Sequence, residues 1–300
     1  MTLTSFIDTA FLPFHRKHWK RLTDASRTDS IQRHIVGEIG RREIASITRD
    51  DLQAFLDARK HLSYAFVNHL RWDLKQILDL AVADGVIQRN PIYSGGKMFL
   101  FVPKECSKPE RQAMSIEEAR LAFTVLELRE RLVVKLGILA GMRCSEIFGL
   151  RRGAVHGAHA NIVERVCRRD VDTPKTEKSK RQAALSANLQ EDMRAWLATM
   201  PEDPDGWLFP SENPRKPIDS TNLLMRAIRP RLSMVGLEWV DFRVLRRTHA
   251  TLMRAQGIDP KTVADQQGHG IDVNLNCYTQ TSLESRLAAV DKLGEAMVNL

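Results

Sequence analysis

The chain has 300 residues, a length that predicts two domains rather than one. Its composition, 43% hydrophobic and 27% charged, is that of a globular protein, and no apolar run is long enough to span a membrane. The formal net charge of +8 favours a polyanionic partner, because Lys and Arg side chains placed on phosphates release bound counterions. The charge alone is equally consistent with a basic protein that does not bind nucleic acid.

The cysteines indicate neither a metal site nor a redox centre. Cys106, Cys144, Cys167 and Cys277 form no C-x-x-C pair, which argues against zinc and against a thiol-disulfide motif. The sequence shows no recognisable signal peptide at its start. Reduced cysteines in a cytoplasm are therefore the expectation.

The first hundred residues predict helices. One begins after Thr48, a good N-cap, and a second runs from about Ser63 to Asp84 and ends at Gly85. Residues from about Ile92 to Gln112, which include Gly95-Gly96, are expected to form a linker.

The second part of the chain mixes helices and strands. Ser115 is expected to cap a helix, and an apolar-faced helix follows near Arg129–Ala140. Val and Ile residues among polar ones predict short strands and hairpins over 154–186. From Ser220 the pattern is helical again, with a break at Gly257-Ile258-Asp259-Pro260.

Two basic residues lie where the predicted elements change direction, one between two helices and one in a hairpin. Arg143 comes shortly after Gly141, which breaks an apolar helix, and Ser145 could cap the next helix. At such a helix junction, backbone amides and the Arg143 guanidinium can together bind an anion. A surface pair with Glu146 is the alternative. Lys175, in Pro-Lys-Thr, lies in a predicted hairpin, where a solvated charge is the usual explanation.

Two further groups follow toward the C-terminus. Arg243 and Arg246 are three residues apart, so they lie on the same face of a predicted helix. Either an anion binds between the two guanidiniums, or both side chains belong to a solvated basic stripe. Gln-Gly-His-Gly around His269 precedes Tyr278 by nine residues. Alone, a Gly-His is usually a turn, and a Tyr usually packs in a core.

In this order, these groups resemble the tyrosine recombinases, also called phage-type integrases. Ala-Gly-Met-Arg-Cys-Ser-Glu-Ile is similar to the family's first Arg box, and Pro-Lys-Thr with Ser179 and Arg181 to its Lys hairpin. Leu-Arg-Arg-Thr-His-Ala-Thr resembles the second Arg box, and Gly-Ile-Asp-Pro-Lys-Thr-Val, Gly-His and Tyr-Thr resemble the C-terminal box. The match spans about residues 115–285, and the preceding segment resembles the family's core-binding helices.

The resemblance implies a role for each residue. Arg143 and Arg246 would clamp the scissile phosphate, and Tyr278 would attack it to form a 3′-phosphotyrosyl link. Lys175 would protonate the departing 5′ oxygen, and His269 would donate to a phosphate oxygen. Two Arg and a Lys supply the charge that a metal would otherwise provide, so neither a metal nor a cofactor is expected.

Two other residues, Glu146 and Arg243, complete the expected site. Glu146 would orient Arg143. Arg247 competes with Arg246 as the second Arg, but Arg246 follows Leu245 as in the family's Leu-Arg box. Arg243 stands where the family usually has His, and it is expected to be a third phosphate ligand. Because Arg cannot accept a proton, His269, His249 or water must take the tyrosine's proton.

The resemblance also implies an architecture, which is mainly α with a small β-sheet. An N-terminal helical core-binding (SAM-like) domain, 1–105, and an α+β catalytic domain, 112–300, would form a C-shaped clamp on double-stranded DNA. A helix from about Ser282 to Val298 would support a homo-tetramer on two DNA sites, with packing on its own core as the alternative. An accessory DNA-bending or directionality protein is a possible partner, and a bacterial or phage origin is expected.

Two alternatives remain open at this point. A type IB topoisomerase shares much of this chemistry, and Arg243 leaves room for a catalytically impaired DNA-binding protein on the same fold. Among recombinases, the sequence does not separate an integrase, a Xer-like resolvase of DNA multimers and a transposon enzyme. No separate arm-site-binding domain is evident before the core-binding helices, which weighs against a lambda-like integrase. The target DNA sequence is not readable either, because phosphate contacts carry no sequence information.

Overall fold

The computed structural model describes residues 1–107, 110–168, 170–174, 179–270 and 290. The described part is mainly helical with short antiparallel strands, so the fold class expected from the sequence is confirmed. The chain divides into two compact units, Met1–Glu110 and Arg111–Leu300, and each unit has its own apolar core. The helix expected over 282–298 lies outside the described residues. No helix in the described ranges has the length and apolarity needed to cross a membrane.

Unit 1 is a helical bundle. Its helices are α1 (Leu3–Phe6), α2 (Leu12–Arg16), α3 (Arg21–Ser30), α4 (Gly37–Ile39), α5 (Arg49–Asp57) and α6 (Tyr64–Ala83), with π-helical turns over Ile7–Phe11 and Ile31–Val36 and a 3₁₀ turn over Ile44–Ser46. The two helices predicted here are confirmed. The Thr48 hydroxyl accepts from the Asp51 amide, the Asp51 carboxylate accepts from the Thr48 amide, and Ser63 caps α6.

The segment predicted as a linker is instead partly packed into unit 1. Strands β1 (Tyr93–Ser94) and β2 (Lys97–Met98) form a hairpin around Gly95 and Gly96, both of which have positive φ, 54° and 75°. Two left-handed residues are what a two-residue hairpin turn requires. Leu100 and Cys106 then lie buried in the core of this unit.

Unit 2 surrounds a small sheet with helices. Its helices are α7 (Ile116–Val125), α8 (Leu128–Ile138), α9 (Cys144–Ile147), α10 (Ala187–Leu197), α11 (Ser220–Leu223), α12 (Arg229–Ser233), α13 (Phe242–Ala255) and α14 (Pro260–Gln267), with a 3₁₀ turn over Arg152–Ala154 and a π-helical turn over Leu224–Ile228. Its strands are β3 (Val155–His156), β4 (His159–Ile162), β5 (Arg165–Cys167), β6 (Asp170–Asp172) and β7 (Arg181–Ala184). β3, β4 and β7 form one antiparallel sheet and β5 and β6 another, so the predicted strands and hairpins are confirmed.

Helix α8 forms the centre of unit 2. It was expected to be apolar on one side, but it is buried on nearly all sides, and its buried Lys135 pairs with Asp192 at 2.8 Å. Helix α13 packs closely on it, since a Cβ added to Gly137 would lie 2.8 Å from the Cβ of Leu245. This close approach brings the end of α8 next to the first turn of α13.

Replacing Gly137 by Ala tests this packing. Ala normally favours a helix, but here its methyl group would force α8 and α13 apart, so we expect a loss of about 1–3 kcal/mol in the free energy of unfolding. Gly37→Ala is the control, because the nearest atom to its added Cβ is 3.6 Å away. Chemical unfolding followed by circular dichroism measures both variants, and a Gly137→Ala protein as stable as the native one would show that the contact is not tight.

Candidate active site

Arg143 lies where α8 gives way to α9. Gly141 has a φ of 63° and turns the chain after α8, and a Cβ there would lie 2.6 Å from the ring of His249. Arg143 is the N-cap of α9, and its amide donates to Oε2 of Glu146 at 2.9 Å. The cap is therefore Arg143 and not Ser145, which was suggested by the sequence.

Arg246 reaches the same place from α13. Asp241 caps this helix by accepting from the amides of Arg243 and Val244. The Arg246 side chain is only 3% exposed. Its guanidinium donates to the carbonyl of Gly141 and, at 2.6 Å, to the carbonyl of Gln267.

Glu146 lies at the centre of a cluster of guanidinium groups. Its carboxylate is 2.5 Å from Nη1 of Arg143, 2.9 Å from Nη2 of Arg181 and 3.9 Å from Nη1 of Arg246. Burial raises the pKa of Glu146, but the charges of Arg181, Arg143 and Arg246 and the hydrogen bond from Arg181 outweigh it and hold the pKa below its usual value. Glu146 is thus ionised at neutral pH, and the cluster keeps an excess of positive charge.

The end of helix α14 fixes the same arginines from the other side. The Gln266 carbonyl accepts from Nε of Arg181 at 2.7 Å, Gln267 accepts from Arg143 and Arg246, and Gly268 accepts from Nη2 of Arg143 at 3.0 Å. A helix C-terminus carries partial negative charge, so these carbonyls suit cations.

Gly268 adopts the left-handed conformation that ends the helix, with a φ of 66°. A Cβ at this position would lie 2.8 Å from Nη1 of Arg181, so the position needs a glycine for both its backbone and its space.

Arg143 is the more exposed of the two predicted clamp arginines. One third of its side chain, 33%, is accessible, whereas Arg246 is almost fully covered. Arg143 lines a cleft of about 570 Å³ together with Arg168 and the hydroxyl-bearing residues Ser220 and Thr221. The cluster is therefore open to a ligand on the side of Arg143.

The two histidines of the region differ in exposure. His269 follows α14 directly and is half-buried, and burial together with the charges of Arg246 and Arg143 lowers its pKa to about 4. His249 is 2% exposed, and its Nδ1 is 2.9 Å from the Ile138 carbonyl. Burial, with the charge of Arg246, also lowers the pKa of His249 to about 4. Without a bound anion, both rings are neutral at pH 7.

Arg243 and Arg247 lie outside the cluster. Arg243 is exposed in the first turn of α13, on the side of Arg246 but nearer to solvent. The Arg247 guanidinium donates to the Gln112 carbonyl at 2.5 Å. The structure therefore brings Arg246, and not Arg247, beside Arg143 and Glu146.

The chain matches the models of two protein families. The profile described as "Phage integrase family" matches residues 110–284, which is more than half of the chain. The profile described as "Phage integrase central domain" matches residues 7–95. The chain belongs to the phage integrase family. The resemblance to tyrosine recombinases that the sequence motifs indicated is thereby confirmed.

Similar proteins come from several branches of this family. A "Tyrosine recombinase XerC-like" protein of Caldanaerobacter subterraneus subsp. tengcongensis is 24% identical over 254 residues, covering 75% of this chain but 64% of that protein, slightly under two thirds of its length. The Tn1549 transposon integrase in complex with a circular intermediate DNA has a TM-score of 0.78 at 19% identity, covering 98% of this chain and 99% of that one. A lambda integrase tetramer bound to a Holliday junction has a TM-score of 0.68 at 18% identity, covering 95% and 77%.

These matches give no support to the type IB topoisomerase alternative. At 18–19% identity, the solved structures show a shared fold. The similar solved structures are those of a transposon integrase and lambda integrase, whereas one of the curated relatives is Xer-like, so the matches extend over more than one branch of the family.

Two predicted catalytic residues, Lys175 and Tyr278, lie outside the described residues. The described chain on either side of Lys175 is anchored. Nε of Arg165 donates to the Thr173 carbonyl at 2.9 Å, and the Ser179 hydroxyl lies 3.4 Å from the Gly268 carbonyl. Ser179 thus reaches the same carbonyl that Arg143 contacts.

Arg181 and Gln267 belong to the cluster but were not among the predicted site residues. Arg181 had a detectable signal: it is two residues from Ala183, so in a strand both face the same side, and that side is buried. A buried Arg requires a carboxylate or several carbonyls. Gln267 carried no such signal, because its role comes from a backbone carbonyl and a side chain that donates to the Arg246 carbonyl at 2.8 Å.

The buried His249 makes the stability of the protein depend on pH. Its pKa is about 4 in the folded state and about 6.5 when unfolded, so the unfolded chain binds the proton first as the pH falls. The contribution of neutral His249 to the free energy of unfolding is therefore present above pH 6.5 and is lost progressively below it. At pH 5 the loss is about 2 kcal/mol.

Unfolding by urea at pH 7 and pH 5 measures this effect in native protein and in His249→Phe. The variant loses the hydrogen bond to Ile138 at both pH values, so only the change between them is compared. We expect a smaller change in the variant, and equal changes would contradict the assignment.

Proposed function

We propose that the chain is a site-specific DNA recombinase that cleaves and rejoins strands through a 3′-phosphotyrosyl intermediate. The observation that carries this proposal is the fixed pair of guanidiniums, Arg143 and Arg246, at one end of α14 in a member of the phage integrase family. The aligned curated relative is a tyrosine recombinase, and the Tn1549 integrase was solved on DNA. Integration or excision of a mobile element and resolution of DNA multimers both remain within this proposal.

The arginine clamp is arranged before DNA binds. Within the described ranges, the hydrogen bonds of Arg143 to Glu146, Gln267 and Gly268 use three of its five N–H groups, and Nε and one Nη2 proton are the ones proposed to bind a phosphate oxygen. Positive charge held in place in this way stabilises the charge that grows on the phosphate during attack. No rearrangement of the arginines is then needed at the moment of reaction.

The covalent chemistry is assigned to the two residues outside the described ranges. The Tyr278 oxygen would attack phosphorus and form the phosphotyrosyl bond, while the bond to the 5′ oxygen breaks and Lys175 gives that oxygen a proton. The 5′ hydroxyl of the same or another strand then attacks the link and releases Tyr278. The number of phosphoester bonds is unchanged, so the cycle needs no ATP.

Two observations favour His269 over His249 as the group that takes the proton of Tyr278. His249 is enclosed, whereas His269 is half-exposed at the end of α14. The charges of Arg246 and Arg143 lower the pKa of His269, and a bound phosphate would offset them. DNA binding is thus expected to raise the pKa of His269 toward neutrality, which suits a residue that exchanges protons with the substrate.

The wider assembly is part of the same proposal. Residues 1–105 would bind DNA as the core-binding domain, and 112–300 would hold the catalytic site. The lambda integrase of similar fold was solved as a tetramer on a Holliday junction, which supports a homo-tetramer here. An accessory DNA-bending or directionality protein, and a cytoplasmic location in a bacterium, complete the proposal.

Replacing Tyr278 by Phe tests the covalent step. A nicked DNA substrate carrying the recombination site is incubated with protein, and the covalent complex is measured after denaturation. We expect native protein to form it and Tyr278→Phe to form none, because only the hydroxyl oxygen can bond to phosphorus. Tyr64→Phe, at an exposed position in unit 1, is the matched control and should retain the complex. A complex that persists in Tyr278→Phe would rule out this nucleophile.

Arg243 is tested by two substitutions. If it is a third phosphate ligand, Arg243→Ala should slow cleavage roughly tenfold or more, because one cationic donor is lost from the developing charge. Arg243→His should retain more activity than Arg243→Ala, since His also donates a hydrogen bond. Single-turnover cleavage at saturating DNA gives the rates. An Ala variant as fast as native protein would remove Arg243 from the site.

A further inference from the structure

Arg181 is a buried arginine whose hydrogen bonds all lie inside the protein. Its side chain is 7% exposed. Its Nη2 is 2.9 Å from Oε2 of Glu146, and its Nε donates to the Gln266 carbonyl at 2.7 Å. Its Nη1 lies 3.3 Å from the Ser179 carbonyl. These contacts leave it facing the protein rather than a substrate.

Glu146 creates a difficulty for an arginine clamp. Its carboxylate is ionised and 3% exposed, and it lies 2.5 Å from Arg143. A buried negative charge that lacked another partner would reduce the positive charge that Arg143 offers to a phosphate. It would also compete with the phosphate for the same guanidinium protons. Arg181 supplies the second partner, because it binds the other carboxylate oxygen.

We propose that Arg181 is a positioning residue that neutralises Glu146, so that Arg143 and Arg246 present their full charge to the scissile phosphate. The inference rests on the proposed recombinase function. Arg181 acts through Glu146 and does not touch DNA. Its bond to the Gln266 carbonyl also holds the end of α14, whose next two carbonyls fix Arg143 and Arg246.

A double-mutant cycle tests this role. The variants are Arg181→Gln, Glu146→Gln and the double replacement, measured by single-turnover cleavage of a nicked DNA site at saturating DNA. Arg181→Gln should cleave at least tenfold more slowly with a DNA dissociation constant within a few-fold of native. The double variant should cleave at least threefold faster than Arg181→Gln, because the uncompensated negative charge of Glu146 is then gone.

A purely structural role predicts the opposite. The double variant, which lacks both members of a packed pair, would then cleave DNA as slowly as Arg181→Gln or more slowly. This result would overturn the proposal. Arg59 provides a matched control, since it is also buried, is 2.5 Å from Glu38 and donates to the Phe55 carbonyl in unit 1. Arg59→Gln should lose stability with little change in cleavage rate at a temperature where the variant is folded.

Two further outcomes are distinguished. If Arg181→Gln fails to fold by circular dichroism, Arg181→Lys is measured with and without Glu146→Gln. The Lys variant keeps the charge and should remain within tenfold of native, and a slower Lys variant that Glu146→Gln does not improve would overturn the proposal. If native protein itself forms no covalent complex, the recombinase function fails, whereas active native protein without recovery in the double variant refutes only the role of Arg181.

Discussion

The candidate site depends on one buried carboxylate. Glu146 lies among the guanidiniums of Arg143, Arg181 and Arg246, which repel one another when brought this close. A negative charge between them offsets that repulsion. The same carboxylate accepts from the Arg143 amide and so defines the start of α9. One side chain therefore sets both the charge balance and the backbone geometry, and its effects on folding and on chemistry are joined.

The end of α14 completes this arrangement with dipoles rather than charges. The carbonyls of Gln266, Gln267 and Gly268 accept hydrogen bonds from guanidinium groups of the same cluster. Carbonyl dipoles orient a guanidinium without cancelling its charge, whereas a second carboxylate would cancel it. This difference lets the arginines be held in place while the cluster keeps its excess of positive charge, as the proposed phosphate clamp requires. His269 follows these carbonyls directly, so the end of the helix also determines where that ring lies.

The sequence predicted the parts of the site that short motifs carry. Arg143 follows a helix-breaking Gly, and Arg246 lies in a helix whose apolar pattern is clear, so both could be assigned before any contact was known. The partners of Arg181 could not be assigned in the same way, because they follow from the pairing of β7 with β4 and from an acid 35 residues earlier. The hairpin at Gly95-Gly96 was missed because two-residue strands are too short to show alternation. Local signals identified elements, and tertiary contacts decided partners.

The arginines of the cluster come from distant points of one chain. Glu146 and Arg181 are 35 residues apart, and the Arg143 guanidinium reaches the Gly268 carbonyl across 125 residues. Contacts at such separations cannot form until the chain between them has been made and its loops have closed. A nascent or truncated chain that ends before α14 therefore lacks the assembled arginine cluster, even when its other helices have formed. If the chain cleaves DNA as proposed, its cleavage activity would be restricted to molecules that have finished folding.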